Sequence, residues 1–151
     1  MARKTKLIAI HEEGDNRDNG KVFVITELPA TEGFWLAVRF MRYAIKALGM
    51  PEDVATMGMA GIAAIGLRGI LHAFADIPEA ELKDILREMR TCVQIAPDAR
   101  NPQVQRPLID DDTEEWSTLT RLYTAWIELH TGFSLTDAPS ISAQATSGQA
   151  A

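Results

Sequence analysis

The sequence predicts an α+β protein in which an N-terminal β-hairpin is followed by a mainly helical bundle of about four helices and a disordered C-terminal tail. Two β-branched runs flank a polar, glycine-bearing turn near the N-terminus. Apolar residues then recur at helical spacing. With 151 residues the chain is long enough to bury one cooperative core. We therefore expect a single domain over residues 1–135 and a tail, 136–151, that buries too little apolar surface to offset its ordering entropy.

The predicted hairpin consists of two short strands, residues 5–10 and 21–27. The segment Val22–Thr26 is β-branched and aromatic, a composition that suits a pleated surface. Asn19 and Gly20 both tolerate the positive φ of a tight turn. A two-stranded hairpin alone is marginally stable in water, so we expect it to lie against another part of the fold.

Helical periodicity predicts four helices after the hairpin. A glycine with a proline just beyond it ends the first helix, and four internal glycines weaken the second. Pro78 suits the first turn of the third helix, and Gly132 caps the last. Three prolines mark residues 96–109 as a loop. The predicted helices are residues 31–48, residues 52–74, a third helix whose apolar face runs from Leu82 to Val93, and a last helix that begins near Asp112 or Thr113.

The first and last helices carry more apolar surface than a small core needs. On the first helix the charged side chains form one narrow stripe, and almost every other residue is apolar. On the last helix aromatic residues recur at spacings of three and four and form a seam on one face. Such surfaces are either core or a site of client binding or self-association, because aromatic side chains and methionine are enriched at interfaces. The candidate residues are Phe34, Trp35, Val38, Met41, Ile45, Trp116, Tyr123 and Trp126.

Charge and cysteine content argue against several classes of protein. The formal net charge of −6 disfavours a dedicated nucleic-acid-binding protein, which needs a basic patch. The single cysteine, Cys92, cannot form an internal disulfide, so a reducing intracellular compartment is expected. The longest uncharged run, Val54–Leu67, is shorter than the roughly 18–20 residues of a membrane span. We therefore expect no nucleic-acid partner and no membrane association.

No motif in the sequence carries catalytic chemistry. The three histidines have no metal-ligand spacing with one another, with Cys92 or with a carboxylate. His130 lies on the aromatic face of the last helix, where a packed or hydrogen-bonded imidazole is expected, and Cys92 lies on an apolar helix face. The glycine-rich segment lacks a phosphate-binding pattern, and there is no serine nucleophile elbow. We predict a protein that is not an enzyme and that has no catalytic, cofactor or metal site.

A run of acidic residues precedes the last helix. Asp110–Asp112, together with Glu114 and Glu115, is the densest charge cluster in the chain. It lacks the alternating ligands and the turn glycine of a calcium-binding loop. Carboxylates at a helix N-terminus interact favourably with the helix dipole and cap free N–H groups, so capping is the favoured interpretation. An electrostatic docking patch is the alternative.

Several segments resemble a known family. Gly20-Lys-Val-Phe-Val-Ile-Thr-Glu-Leu-Pro-Ala30, followed by Glu32-Gly-Phe-Trp-Leu-Ala-Val-Arg39, resembles the N-terminal signature of the tail assembly chaperones of long-tailed bacteriophages. Leu28 stands where members of that family usually have methionine. The resemblance covers residues 3–135 and includes no catalytic signature. Further matching segments are Met57–Gly61, Thr91–Gln94 and Leu129–Ser134.

The resemblance implies a function in virus assembly. Such chaperones bind the long, largely helical tape measure protein, keep it soluble and help tail tube subunits assemble around it. They act in the host cell cytoplasm and are absent from the finished virion, and many are also made in a longer, frameshifted form. The implied partners are the tape measure protein, the tail tube protein and, as a possible homo-oligomer, further copies of the chain.

Two other classes of function stay open from the sequence. One is a structural head-tail or tail component of the virion, which would be expected to carry more β-structure than one hairpin. The other is a small enzyme or regulator whose site is not recognised from its motifs.

Overall fold

The computed structural model describes residues 2–48 and 74–132. Within those ranges the chain has the α+β architecture that the sequence predicts. The predicted second helix, apart from Phe74, and the predicted tail lie outside the described residues. The elements described in chain order are β1 (Thr5–Ala9), β2 (Val22–Thr26), α1 (Ala30–Leu48), α2 (Glu79–Thr91), β3 (Val93–Ala96), β4 (Arg106–Pro107), a 3-10 turn (Asp110–Asp112) and α3 (Trp116–Thr131).

The predicted hairpin is one half of a four-stranded antiparallel sheet with the strand order β1-β2-β3-β4. Phe23 lies opposite Ile8 on one side and opposite Ile95 on the other. Its neighbour on the same face of β2, Ile25, pairs with Val93, and both β2 side chains are fully buried. The strand that the sequence marks most clearly is therefore one of the two interior strands among the described residues.

The prediction that the third helix continues to Val93 is wrong. The helix α2 ends at Thr91, and Val93 is the first residue of β3. Residues 96–109 are also more than a loop, because Arg106 and Pro107 pair with Ile95 and Gln94. Cys92 and Val93 continue the apolar spacing of the helix, but pairing with β2 decides their conformation. Tertiary contacts of this kind routinely override local preference.

The helices contribute to one core on one face of the sheet. Buried side chains from α1, α2 and α3 meet the sheet residues Phe23, Ile25 and Ile95. An ion pair between Lys6 Nζ and Glu128 Oε2, 2.8 Å long, also joins β1 to α3. The prediction of a helical bundle beside a hairpin is thus only partly right, because the helices pack on a sheet. The helical residues in this core are Leu36, Ile85, Met89, Leu122, Ala125 and Trp126.

Two glycines take the positive φ that the sequence predicts at turns. Gly132 has φ 74° and ends α3, where its N–H donates to Glu128 O at 2.8 Å. Gly20 has φ 87° and donates its N–H to Ile10 O at 2.9 Å, which extends the β1–β2 ladder. Asn19 does not share the positive φ, since every described residue with that conformation is a glycine. The side chain of Asn19 instead closes the loop by accepting the N–H of Glu12 at 2.7 Å.

A buried carboxylate joins the β1–β2 loop to the start of α3. Asp18 has no exposed surface. Its oxygens accept the backbone N–H of Glu114, at 3.0 and 3.2 Å, and the N–H of Glu115, at 3.0 Å. The ammonium of Lys21 donates to Asp18 Oδ1 at 2.7 Å and also reaches Asp112 O and Glu114 Oε2, each at 3.1 Å. Two segments that are distant in sequence are therefore held together at one point.

The acidic run does not cap the last helix as the sequence predicts. The helix α3 begins at Trp116, and the carboxylate of Asp112 forms two hydrogen bonds with Arg106, at 2.6 and 2.7 Å. Asp112 also accepts the N–H of Ile109 at 2.8 Å, so it stabilises its own 3-10 turn. The N–H groups that precede α3 are accepted by Asp18, which lies far away in the sequence. A local pattern cannot show a cap that comes from another loop.

The surroundings of Asp18 favour its charged form. Burial by itself would raise the pKa of this carboxyl group, but hydrogen bonds from the Lys21 ammonium and from the two backbone N–H groups lower the pKa to about 2. Arg17 adds to the same junction, because it donates to Glu115 Oε1 and to Glu114 O, each at 2.7 Å.

We predict that Asp18→Asn destabilises the fold by about 2–4 kcal/mol, because it leaves the Lys21 ammonium without its buried partner and places an amide N–H₂ against N–H donors. A carboxyl group with a lowered pKa stabilises the folded state above its ordinary pKa, 3.8, and loses that stabilisation as the pH falls towards 2. The wild type should therefore lose about 2 kcal/mol from this group over that interval.

The measurement is urea denaturation at several pH values, with Asp111→Asn as the matched control. Asp111 is exposed, so the same chemical change there should alter the free energy of unfolding by less than about 0.5 kcal/mol. Equal effects of the two substitutions would contradict the role given to Asp18.

Candidate functional site

The candidate site lies where α1 begins, at the end of β2. Ala30 is the first residue of the helix, and Pro29 O accepts the N–H of Gly33 at 2.9 Å, which closes the first turn. The next two side chains point outwards, since Phe34 is 62% exposed and Trp35 is 60% exposed. Leu36, which follows them, is 3% exposed and belongs to the core. The helix therefore presents two neighbouring aromatic side chains to solvent.

The rest of α1 is held against α2 by polar contacts. Arg39 Nη1 donates to Glu88 Oε1 at 2.6 Å, and Arg39 Nε lies 3.8 Å from Glu81 Oε1. The Tyr43 hydroxyl donates a hydrogen bond to the Glu81 carboxylate. These contacts raise the pKa of the Arg39 guanidinium, chiefly through the Glu88 hydrogen bond, and raise the pKa of Tyr43 through the bond with Glu81. The helix that carries Phe34 is consequently fixed against α2.

Aromatic packing supplements those polar contacts. The ring of Phe40 meets the ring of Phe74 edge to face, with centroids 5.2 Å apart. Phe40 is also packed against the buried core. Part of the apolar circumference of α1 is therefore used for folding, while its first turns stay exposed.

The predicted aromatic seam of α3 does not form a single surface. Trp126 is buried at 8% exposure, whereas Trp116, at the other end of the helix, is 86% exposed. The most deeply buried side of the helix is formed by Thr118, Leu122 and Ala125, none of which belongs to the predicted seam. Of these two aromatic residues of α3, Trp126 therefore belongs to the core and Trp116 lies in solvent.

The structure places the eight predicted surface residues in three environments. The exposed residues form two separate groups. Phe34 and Trp35 follow Gly33, which lies beside His130 near the end of α3, whereas Trp116 is the first residue of α3. A rise of 1.5 Å per residue puts the two ends of that helix about 21 Å apart. Phe34, Trp35 and Trp116 are exposed, Val38 and Tyr123 are half-buried, Ile45 and Trp126 are buried, and the side chain of Met41 lies outside the described part of the chain.

His130 links the end of α3 to the segment that precedes α1. Its ring stacks on Trp126 with centroids 3.8 Å apart. Nε2 accepts the backbone N–H of Leu28 at 2.9 Å, so the proton of the neutral ring is on Nδ1, which lies 2.9 Å from Trp126 O. The prediction of a packed, hydrogen-bonded imidazole is confirmed. This contact fixes the position from which α1 and its exposed aromatic residues begin.

The remaining candidates for chemistry are structural in the described residues. Cys92 is buried, and burial raises the pKa of its thiol, so it is a poor nucleophile. Among residues 2–48 and 74–132, no group of three or more His, Cys, Asp or Glu side chains is arranged to hold a metal ion. None of the helices in the same ranges is long and apolar enough to cross a membrane. His72 lies outside these ranges.

Sequence reasoning missed some of the exposed apolar residues. Leu7 on β1 is 53% exposed, and Val104 and Ile109 on either side of β4 are 58% and 57% exposed. A strand places alternate residues on opposite faces, so the alternation in Leu7-Ile-Ala-Ile10 already separates Leu7 from the buried Ile8 and Ile10. For Val104 and Ile109 the sequence gives no comparable signal.

Comparison with known proteins identifies the class to which this arrangement belongs. A family model described as phage tail assembly chaperone protein, TAC, matches residues 19–128. The match runs from the turn before β2 to the last turns of α3 and covers more than half of the chain. The chain belongs to this family of phage tail assembly chaperones, which confirms the resemblance seen in the sequence. Searches of curated proteins and of solved structures found no match.

We predict that the stability of the fold decreases as the pH falls below the ordinary pKa of histidine, 6.5. Burial lowers the pKa of His130, so the unfolded chain takes up a proton there at a pH where the folded chain does not. Protonation would also place a proton on the nitrogen that accepts the Leu28 N–H.

Urea denaturation at pH 7.5 and 5.5 tests this prediction. His130→Phe keeps a ring for stacking on Trp126 but cannot titrate, so it should reduce the difference in unfolding free energy between the two pH values. His11→Gln, at an exposed position, should preserve the wild-type difference. The same pH dependence in His130→Phe and the wild type would show that other groups cause it.

Proposed function

We propose that this chain binds the tape measure protein through the exposed aromatic pair of α1, Phe34 and Trp35, and keeps that protein soluble while tail tube subunits assemble around it. The assembly takes place in the host cell cytoplasm, and the chaperone is absent from the mature virion. The observation that carries the proposal is the exposure of two adjacent aromatic side chains, each by at least 60%, in a chain of the tail assembly chaperone family.

The geometry of α1 suits binding to an amphipathic helix. Aromatic side chains offer large contact areas with few rotatable bonds, and they are frequent among the residues that dominate binding energy. Leu36 anchors the same helix in the core, and Arg39 ties it to α2. The aromatic pair is therefore presented on an ordered element, which reduces the conformational entropy lost on binding. An apolar stripe on a client helix would cover both rings.

One exposed carboxylate beside the aromatic pair favours a client with a basic residue next to its apolar stripe. Glu32 is exposed and precedes Trp35 by three positions, so the two lie on the same side of the helix. The net charge of −6 also supports solubility of the chaperone together with an aggregation-prone client.

The proposed role needs neither catalysis nor a cofactor. Holding a hydrophobic client soluble is an equilibrium effect, in which the bound state removes apolar surface from water. We propose that the protein is not an enzyme and that its partners are the tape measure protein and the tail tube protein, with no nucleic acid and no membrane. Trp116 lies at the opposite end of α3 from the aromatic pair.

We predict that a Phe34→Ser/Trp35→Ser double variant binds the tape measure protein at least tenfold more weakly while remaining folded. Two exposed aromatic contacts, each worth more than about 1 kcal/mol, account for such a loss. The measurement is co-expression with the tape measure protein, followed by its soluble fraction and by co-purification. Because both side chains are exposed, the thermal unfolding midpoint should stay close to that of the wild type.

Val104→Ser is the matched control, since Val104 is also apolar and 58% exposed but lies beside β4. It should leave binding unchanged. Trp116→Ser shows whether the far end of α3 contributes. Undiminished co-purification of the double variant would exclude the aromatic pair as the client surface. If wild-type protein is folded and the tape measure protein still stays insoluble and unbound, the function itself is wrong. Mass spectrometry of purified virions then tests the structural-component alternative.

A further inference from the structure

The loop between β1 and β2 carries a chemically reactive pair of residues. Asparagine followed directly by glycine occurs once in the chain, at Asn19 and Gly20. In such a pair the backbone nitrogen of the glycine attacks the side-chain amide of the asparagine, because glycine has no side chain to crowd the approach. Both residues are exposed, so water reaches them. The proposed binding of the tape measure protein makes no use of this pair.

The folded structure holds both reacting groups in place. Asn19 Oδ1 accepts the N–H of Glu12 at 2.7 Å, and Asn19 Nδ2 donates to Glu12 O at 3.0 Å. The N–H of Gly20 donates to Ile10 O at 2.9 Å. The amide that would be attacked and the nitrogen that would attack it are thus both bonded to the other side of the loop. The reaction requires these three hydrogen bonds to open.

The backbone around the pair is anchored as well. The N–H of Lys21 donates to Asp18 O at 3.1 Å, which closes a turn around Asn19 and Gly20. Asp18 has no exposed surface, and its carboxylate accepts backbone N–H groups just before α3. A movement of the backbone at Asn19 therefore disturbs the junction between this loop and α3. Opening of that kind belongs to local or global unfolding rather than to side-chain motion.

We propose that Asn19 is a site of spontaneous deamidation, at which the folded structure suppresses the reaction with Gly20 and unfolding permits it. The modification limits the chemical lifetime of the chain. It does not depend on the proposed binding of the tape measure protein.

The reaction consists of two steps and needs no reactant besides water. A bond forms between Gly20 N and Asn19 Cγ, the bond between Cγ and Nδ2 breaks, and ammonia leaves with the proton of the Gly20 N–H. The product is a five-membered succinimide ring. Water then adds to one of the two ring carbonyl groups, which gives either aspartate or isoaspartate at position 19.

Both products weaken the loop. Aspartate has a carboxylate oxygen where Asn19 Nδ2 donated to Glu12 O, so two acceptors face each other. Isoaspartate adds one carbon atom to the backbone between Asp18 and Gly20. The added atom shifts the Gly20 N–H relative to Ile10 O and displaces the turn that holds Asp18. A chain that reacts while it is unfolded therefore returns to a less stable folded state.

Peptide mass spectrometry after incubation in mildly alkaline buffer tests the proposal, at urea concentrations that span the unfolding transition. Deamidation at Asn19 should be at least about tenfold slower in the folded chain than in the unfolded chain, and its rate should rise through the transition. Asn101 is the internal control, because the nitrogen of Pro102 carries no proton to lose. Its rate should stay low at every urea concentration.

The stability of the products tests the link to the Asp18 junction. Asn19→Asp and the purified isoaspartate form should both unfold at lower urea concentrations than the wild type, and the isoaspartate form should unfold first. Asn101→Asp, at an exposed position, is the matched control and should unfold with the wild type. Failure of the isoaspartate form to refold would support the same conclusion.

Three results would overturn the proposal. Equal rates at Asn19 in the folded and unfolded chains would show that the hydrogen bonds to Glu12 and Ile10 give no protection. An unreactive Asn19 in the unfolded chain would exclude the site. An isoaspartate form as stable as the wild type would remove the link to Asp18.

Discussion

The arrangement of the described residues depends on one buried carboxylate. Asp18 lies in the loop between the first two strands, yet it bonds to the backbone just before the last helix. Without it, two N–H groups and the Lys21 ammonium would lose their shared partner in a site that excludes water. That junction sets where α3 starts across the sheet, and His130 at the far end of α3 in turn holds the backbone of Leu28 from which α1 follows. The exposed aromatic pair is positioned through this chain of contacts.

The sequence predicts the fold to the extent that local patterns determine it. The β-branched and aromatic composition of β2, the proline before α2 and the capping glycine at residue 132 all describe elements that exist. It does not predict β3, because Val93 continues the apolar spacing of the helix before it. Nor does it predict that Asp18 accepts N–H groups so far away in the chain. Both misses concern pairing between distant segments, which periodicity does not encode.

The sequence predicts which residues are candidates for the site, but it does not predict which of them are exposed on one surface. Trp35 and Trp126 are equally plausible as exposed or core residues from their spacing, but one is 60% exposed and the other 8%. The difference arises because Trp126 lies on the side of α3 that packs into the core, whereas the core residue of the first turns of α1 is Leu36 and its neighbours Phe34 and Trp35 face solvent. A helical pattern gives the angle of a residue about its axis, but the packing of the helix decides which angles face solvent.

The pairing of β2 with β3 also constrains the order of folding during synthesis. Val22 pairs with Ala96, so the β2 strand leaves the ribosome long before the partner that completes its hydrogen bonds. Closing that long loop costs entropy before any pairing energy is gained, and folding dominated by such contacts is slow. Until then Phe23 and Ile25 belong to a hairpin whose second edge is open. The nascent chaperone is therefore itself exposed to aggregation during its own translation.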